Sequence, residues 1–226
     1  TSRRQRQMCI RDRKKPVREG LLIGPGGLCD YVIVNTGYLF KIPDTLSYEE
    51  ASLTEPLACV VHSVTKANIQ LGEDVVVIGG GIMGQYHVML AKRRGARVIM
   101  SEVDESRRAL ARKLGADITF NPMEKDPVEY VKSLTEGRGA DVVFNTTAIP
   151  SVVPQAIAMT GKAGRMIQYS SMHPDAPAPV SPQMLHGNEP ILTGSISPDV
   201  HDFFTANRLL SGGIIAVSYT HLTLPT

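Results

Sequence analysis

The chain has 226 residues, 42% of them hydrophobic and 20% charged, which excludes a wholly disordered polymer and allows a sizeable core. Its 20 glycines and 15 prolines follow no three-residue period, which excludes a collagen-like fibre. The net charge of +2 comes from residues 1–19, which hold eight basic and two acidic side chains; the remaining 16 basic and 20 acidic residues leave no nucleic-acid footprint.

In chain order, residues 4–13 match neither helical nor strand periodicity, and neither the stretch 1–13 nor residues 218–226 offers a clear packing face. Both strings resemble translated adapter sequence and are expected to be foreign to the fold. Residues 30–34 (DYVIV) and 38–41 (YLFK) read as short strands around an NTG turn. Ser47 can cap a helix with Glu50 as its capping-box partner. The helix runs over roughly 48–69, with a break predicted near Pro56.

From residue 74 strands alternate with helices. The strands are predicted at 74–78, 97–101, 117–120, 140–144, 165–169 and 190–195. The helices are predicted at 82–94, 104–114, 126–135, 151–160 and 199–210, with Gly115 as a C-cap and GKAG as an exit. The Pro-rich stretch 173–182 reads as a loop near a ligand. This rhythm predicts an α/β fold built on a doubly wound, parallel, six-stranded Rossmann sheet.

The string VVVIGGGIMG places Gly79, Gly81 and Gly84 as GxGxxG between a strand and a helix. Gly79 permits the tight turn, Gly81 lets backbone approach a pyrophosphate, and Gly84 lets the helix lie close to the strand. A diphosphate would meet free N–H groups at Ile82 and Met83, the first helical residues. The Met83 side chain itself reads as packing. Glu102 lies 18 residues beyond Gly84 at the end of the second strand. A carboxylate there accepts both adenosine ribose hydroxyls and repels a 2′-phosphate, which predicts NAD over NADP. Arg107 is a candidate to lie along the adenine, whereas Arg108 reads as a surface residue.

These pieces, together with GGLCDYVIV, LFKIPDTLSYEEASLTEPLACVVHS, EVDESRRALARKLGAD and EGRGADVVF, occur in one order over about residues 26–217. In that order the chain resembles the medium-chain dehydrogenase/reductase family, and most closely its zinc-dependent polyol branch. The resemblance implies that Glu55 stands where a glutamate sits beside the catalytic zinc. It implies cofactor contacts at Thr146, Thr147 and Ala148, and at Gly194 and Ser195 near the nicotinamide. It also implies oxidation of a secondary alcohol or polyol to a ketone with reduction of NAD. A homodimer or homotetramer paired through the last strand is implied as well. The family's zinc-binding cysteine and its histidine–glutamate pair are not found upstream of Gly26. The chain therefore reads as an internal fragment that binds NAD without turnover. Its expected divisions are a catalytic-domain remnant at 14–47, a mostly-β piece, and a connecting helical segment at 48–70. A dinucleotide-binding domain at 71–212 and the start of a return at 213–217 follow.

Other chemistries lack their signatures. GxSxG and GxxxxGK[ST] are absent, and Tyr130 and Lys132 stand two apart, so they do not share a helix face. His62 is expected to be packed or hydrogen-bonded and Cys59 to be a buried apolar residue. Cys9, Cys29 and Cys59 form no disulfide framework, which favours a reducing cytoplasm. No apolar run reaches the ~18 residues of a membrane span. Two alternatives stay open: a zinc-independent quinone or enoyl reductase of the same superfamily, and a non-catalytic dinucleotide-binding module.

Overall fold

The computed structural model describes residues 35–173 and 175–215. Six strands form one parallel sheet: β1 (Asp74–Ile78), β2 (Arg97–Ser101), β3 (Ile118–Phe120), β4 (Ala140–Asn145), β5 (Thr160–Gln168) and β6 (Ile191–Gly194). Their order is β3-β2-β1-β4-β5-β6, so the winding reverses between β1 and β4. In such a sheet the ligand crevice opens at that reversal, beyond the carboxyl ends of the strands.

Parallel strands covered on both faces should read as continuous apolar runs, and VVVI does. The strand period then sorts the side chains. Val75, Val77, Val98, Met100, Val142, Phe144 and Ile167 enter one core layer. Val76, Ile78, Ile99, Val143 and Met166 enter the other. The first layer is closed by α2 (Thr54–Ala67), α3 (Ile82–Arg93), α4 (Glu105–Leu114) and α8 (Val200–Ser211). The second is closed by α5 (Pro127–Leu134) and α6 (Val152–Met159).

Caps fix where these helices begin. Ser47 and Glu50 form the expected capping box on the short helix α1 (Tyr48–Ala51). Asp104, Asp126 and Asp199 cap α4, α5 and α8 through their side chains. Gly115 closes α4 at a φ of 112°.

Three local expectations are corrected, and one helix appears where none was expected. Residues 38–41 form no strand; Asn35 instead caps a 3-10 turn at Thr36–Tyr38, and no partner strand lies beside it among the described residues. The helical break falls at Ser52–Leu53, because Pro56 sits in the first turn of α2, where a missing N–H costs nothing. GKAG belongs to β5, with a register shift against β4. A helix α7 (Pro182–Asn188) follows the Pro-rich stretch, capped by Ser181 with Pro182 in its first turn. The strand expected at 30–34 lies outside the described residues, as do the terminal stretches 1–13 and 218–226.

Candidate cofactor site at the sheet reversal

The turn after β1 is built around its glycines. Gly79 has a φ of +97°, a conformation L side chains rarely adopt. Its N–H donates to the Ser101 carbonyl at 2.9 Å, which extends the β1–β2 ladder. A Cβ on Gly84 would stand 1.9 Å from the Gly79 carbonyl oxygen, so α3 can start this close to the strand only with glycine there. A Cβ on Gly81 would meet nothing within 4 Å, leaving open space on the crevice side. Gly81 is also the N-cap of α3, with no side-chain cap. The N–H groups of Gly81, Ile82, Met83 and Gly84 have no acceptor among the described residues. The positive end of a twelve-residue helix therefore faces the crevice undressed.

Glu102 ends β2 beside this turn and is 6% exposed. Its Oε2 accepts from the Gly80 N–H at 2.5 Å and its Oε1 from the Asp104 N–H at 2.9 Å. A carboxylate has about four acceptor positions, so roughly two stay available. Arg107 Nη1 stands 4.0 Å from Oε2, on a side chain that is 58% exposed. Gly80, which the GxGxxG spacing does not demand, is needed as well. A Cβ there would come within 2.8 Å of Glu102 Cγ. Its place in the middle of three consecutive glycines was its only signal. Arg108 is not a surface residue: it is buried and donates to the carbonyls of Glu102 and Val103 at 2.6 and 2.7 Å. Its contacts bend back to the end of β2, which its helical spacing does not reveal.

The loop after β4 closes the other wall. Thr146 donates through Oγ1 to the carbonyls of Ile78 and Gly79 at 2.8 and 3.2 Å. Buried Asn145 accepts at Oδ1 from the Thr147 N–H and hydroxyl, at 3.1 and 2.8 Å. The Thr147 methyl packs against Gly79. Ala148 is exposed beyond this wall. Gly194 and Ser195 end β6, two strands from the reversal. The Ser195 N–H donates to Gln168, and the Gly194 carbonyl accepts from Lys66 at 2.7 Å. The geometry thus gathers Gly79 to Gly84, Glu102, Arg107, Thr146 and Thr147, and leaves Ala148, Gly194 and Ser195 at the margins.

Glu55 lies on the first turn of α2, exposed, and accepts from Cys59 Sγ at 3.4 Å. Burial, followed by the charge and hydrogen bond of Glu55, pushes the Cys59 thiol up to about 12. Cys59 is partly exposed rather than buried. Burial first, then Cys59 and Glu55, raises the Tyr169 phenol too; its hydroxyl donates to Met83 Sδ at 3.3 Å. The Met83 side chain packs on the first core layer, as expected. His62 is hydrogen-bonded to Asp202 at 2.8 Å, also as expected. Among the described residues no group of three or more His, Cys, Asp or Glu side chains could hold a metal ion. Glu55 and Cys59 fall short of the four ligands that zinc gathers, so no chemical step is assigned to a metal here.

The zinc-binding dehydrogenase family model matches residues 83–212. D-arabitol-phosphate dehydrogenase of Enterococcus avium is 32% identical over 195 residues, 85% of this chain and 55% of that protein. (R,R)-butanediol dehydrogenase of Bacillus subtilis is 37% identical over 152 residues, 67% of this chain and 44% of that protein. The crystal structure of 2R,3R-butanediol dehydrogenase from Bacillus subtilis superposes with a TM-score of 0.70 at 31% identity, covering 79% of this chain and 50% of that one. A protein of Sinorhizobium meliloti assigned as a zinc-binding dehydrogenase, solved bound to NADP, superposes with a TM-score of 0.75 at 30% identity, covering 80% and 53%. The chain spans about half the length of such relatives. With a GxGxxG turn at the reversal of a 3-2-1-4-5-6 sheet and a family match over most of that sheet, the chain belongs to the zinc-binding dehydrogenases of the medium-chain dehydrogenase/reductase family.

Proposed function

We propose that this chain is the dinucleotide-binding part, residues 71–212, of an NAD-linked dehydrogenase acting on a secondary alcohol or polyol. The observation that carries the reading is buried Glu102 beside the uncapped start of α3, with acceptor positions to spare. The diphosphate would rest on the N–H groups of Gly81, Ile82 and Met83. Glu102 would accept the two adenosine ribose hydroxyls, and Thr146 and Thr147 would wall the crevice. Arg107 would cover the adenosine from the exposed side. The bound nicotinamide supplies the hydride acceptor, and the sheet supplies its position. Gly194 and Ser195 would contact the nicotinamide end. The substrate class follows the names of the relatives, several of which are polyol or diol dehydrogenases. Zinc dependence, with Glu55 next to the ion, rests on the family match alone. The assembly would be a dimer or tetramer.

One observation favours a second reading, an NADPH-linked reductase of the same superfamily. Exposed Arg107 could receive a 2′-phosphate, and one solved relative was bound to NADP. Fluorescence titration with NADH and NADPH separates the two. The carboxylate at 102 predicts NADH tighter by at least about tenfold, the worth of one charge-assisted hydrogen bond. Equal affinities, or NADPH the tighter, would favour the second reading.

A further inference from the structure

The glycine turn presents its N–H groups outward only if its carbonyls are held inward, because a trans peptide sets C=O and N–H in opposite directions. Two side chains hold them. The Gly79 carbonyl takes the Thr146 hydroxyl at 3.2 Å, and the next N–H, that of Gly80, points to Glu102. The Gly80 carbonyl takes Gln85 Nε2 at 3.0 Å, and the next N–H, that of Gly81, has no acceptor among the described residues. The same Nε2 also donates to the Arg107 carbonyl at 3.0 Å. Both partners are acceptors, so only the amide nitrogen can face them, and the orientation of the Gln85 side chain is determined.

Gln85 is 2% exposed, yet its Oε1 has no hydrogen-bond partner among the described residues. A buried polar atom left so carries a desolvation cost. Leucine would fill that volume without the cost, but it would strand two carbonyls that flank Glu102.

We infer that Gln85 is a positioning residue for the dinucleotide: it turns the Gly80–Gly81 peptide so that the Gly81 N–H faces the diphosphate, and it ties the first turn of α4 to that peptide around Glu102. The inference rests on the proposed dinucleotide reading. Gln85 touches no ligand in this scheme; it acts through Gly80 and Arg107.

The test is Gln85→Leu, titrated with NADH, NADPH and ADP-ribose. NADH and ADP-ribose affinities should fall about tenfold, and the preference for NADH over NADPH should narrow. Val131→Ala, in the opposite core layer, should lower the melting temperature and leave all three affinities within about twofold. A purely structural Gln85 would behave like Val131, and that result overturns the inference. Should Gln85→Leu fail to fold, amide exchange on the unaltered protein reads the same peptide. The Gly81 amide should exchange fast in the free protein and become protected by NADH; protection in the free protein overturns the inference. Failure of the unaltered protein to bind either dinucleotide overturns the dinucleotide reading itself, and this role with it.

Discussion

The two ends of the sheet carry similar polar residues and use them in opposite ways. At the amino end, buried Asp74 accepts from Arg97 at 2.5 Å and from Arg138 at 3.2 Å, while its own N–H donates to Asp141. Glu73 pairs with Arg165, and Arg97 also reaches the Leu134 carbonyl. Nearly every charge there answers another. At the carboxyl end, Glu102 keeps acceptor positions free, and four successive N–H groups from Gly81 to Gly84 have no acceptor among the described residues. The amino end is a closed mesh that stabilises the sheet; the carboxyl end leaves hydrogen bonds unmade where a ligand would make them.

Substitutions at the two ends should therefore separate stability from binding. The largest effect is expected at Gly84→Ala, whose Cβ would collide with backbone rather than with a movable side chain. Urea unfolding should show a loss of about 3 kcal/mol, together with lost NADH binding. Asp74→Ala should cost about 2 kcal/mol by the same measurement, since its arginines lose a buried acceptor but reach water. Its NADH affinity should stay within about twofold; a larger loss of binding would blur the contrast between the two ends. Glu102→Gln should do the reverse. NADH titration should show roughly tenfold weaker binding and a narrower gap to NADPH. Because one of the two backbone N–H groups on Glu102 loses its acceptor, urea unfolding should show a cost of about 1 kcal/mol, smaller than that of Asp74→Ala.

The smallest effect concerns His87, buried between the site and the core. Its Nδ1 faces the Met83 carbonyl at 2.8 Å and its Nε2 the Ser63 hydroxyl at 3.0 Å. Burial lowers its pKa from 6.5 to about 4. The unfolded chain then takes up the proton first as pH falls. The stabilisation by neutral His87 is complete above about pH 6.5 and is lost as pH drops towards 4. Unfolding free energy should fall by about 1 kcal/mol per pH unit between pH 6 and 5. His87→Gln should flatten that slope.

Much of this architecture was legible in the sequence because it is locally encoded. VVVI before GxGxxG announced β1 and its turn, and Ser47 with Glu50 announced a capped helix. What stayed hidden depends on contacts that strand and helix periodicity do not encode. Gly80 matters because Glu102, 22 residues on, packs against it. Arg108 looked exposed on helical spacing, yet it straps the end of β2. The strand read at 38–41 needs a partner, and none of the described strands provides one. The helix α7 was masked by the prolines that precede it, although Ser181 and Pro182 form an ordinary helix start.

The most direct measurement is a crystal structure of the protein with NADH bound. The account predicts diphosphate oxygens about 3 Å from the Gly81 and Ile82 nitrogens, with both adenosine ribose hydroxyls on Glu102. A dinucleotide seated away from the start of α3, or a Glu102 carboxylate that contacts no ribose, would contradict it.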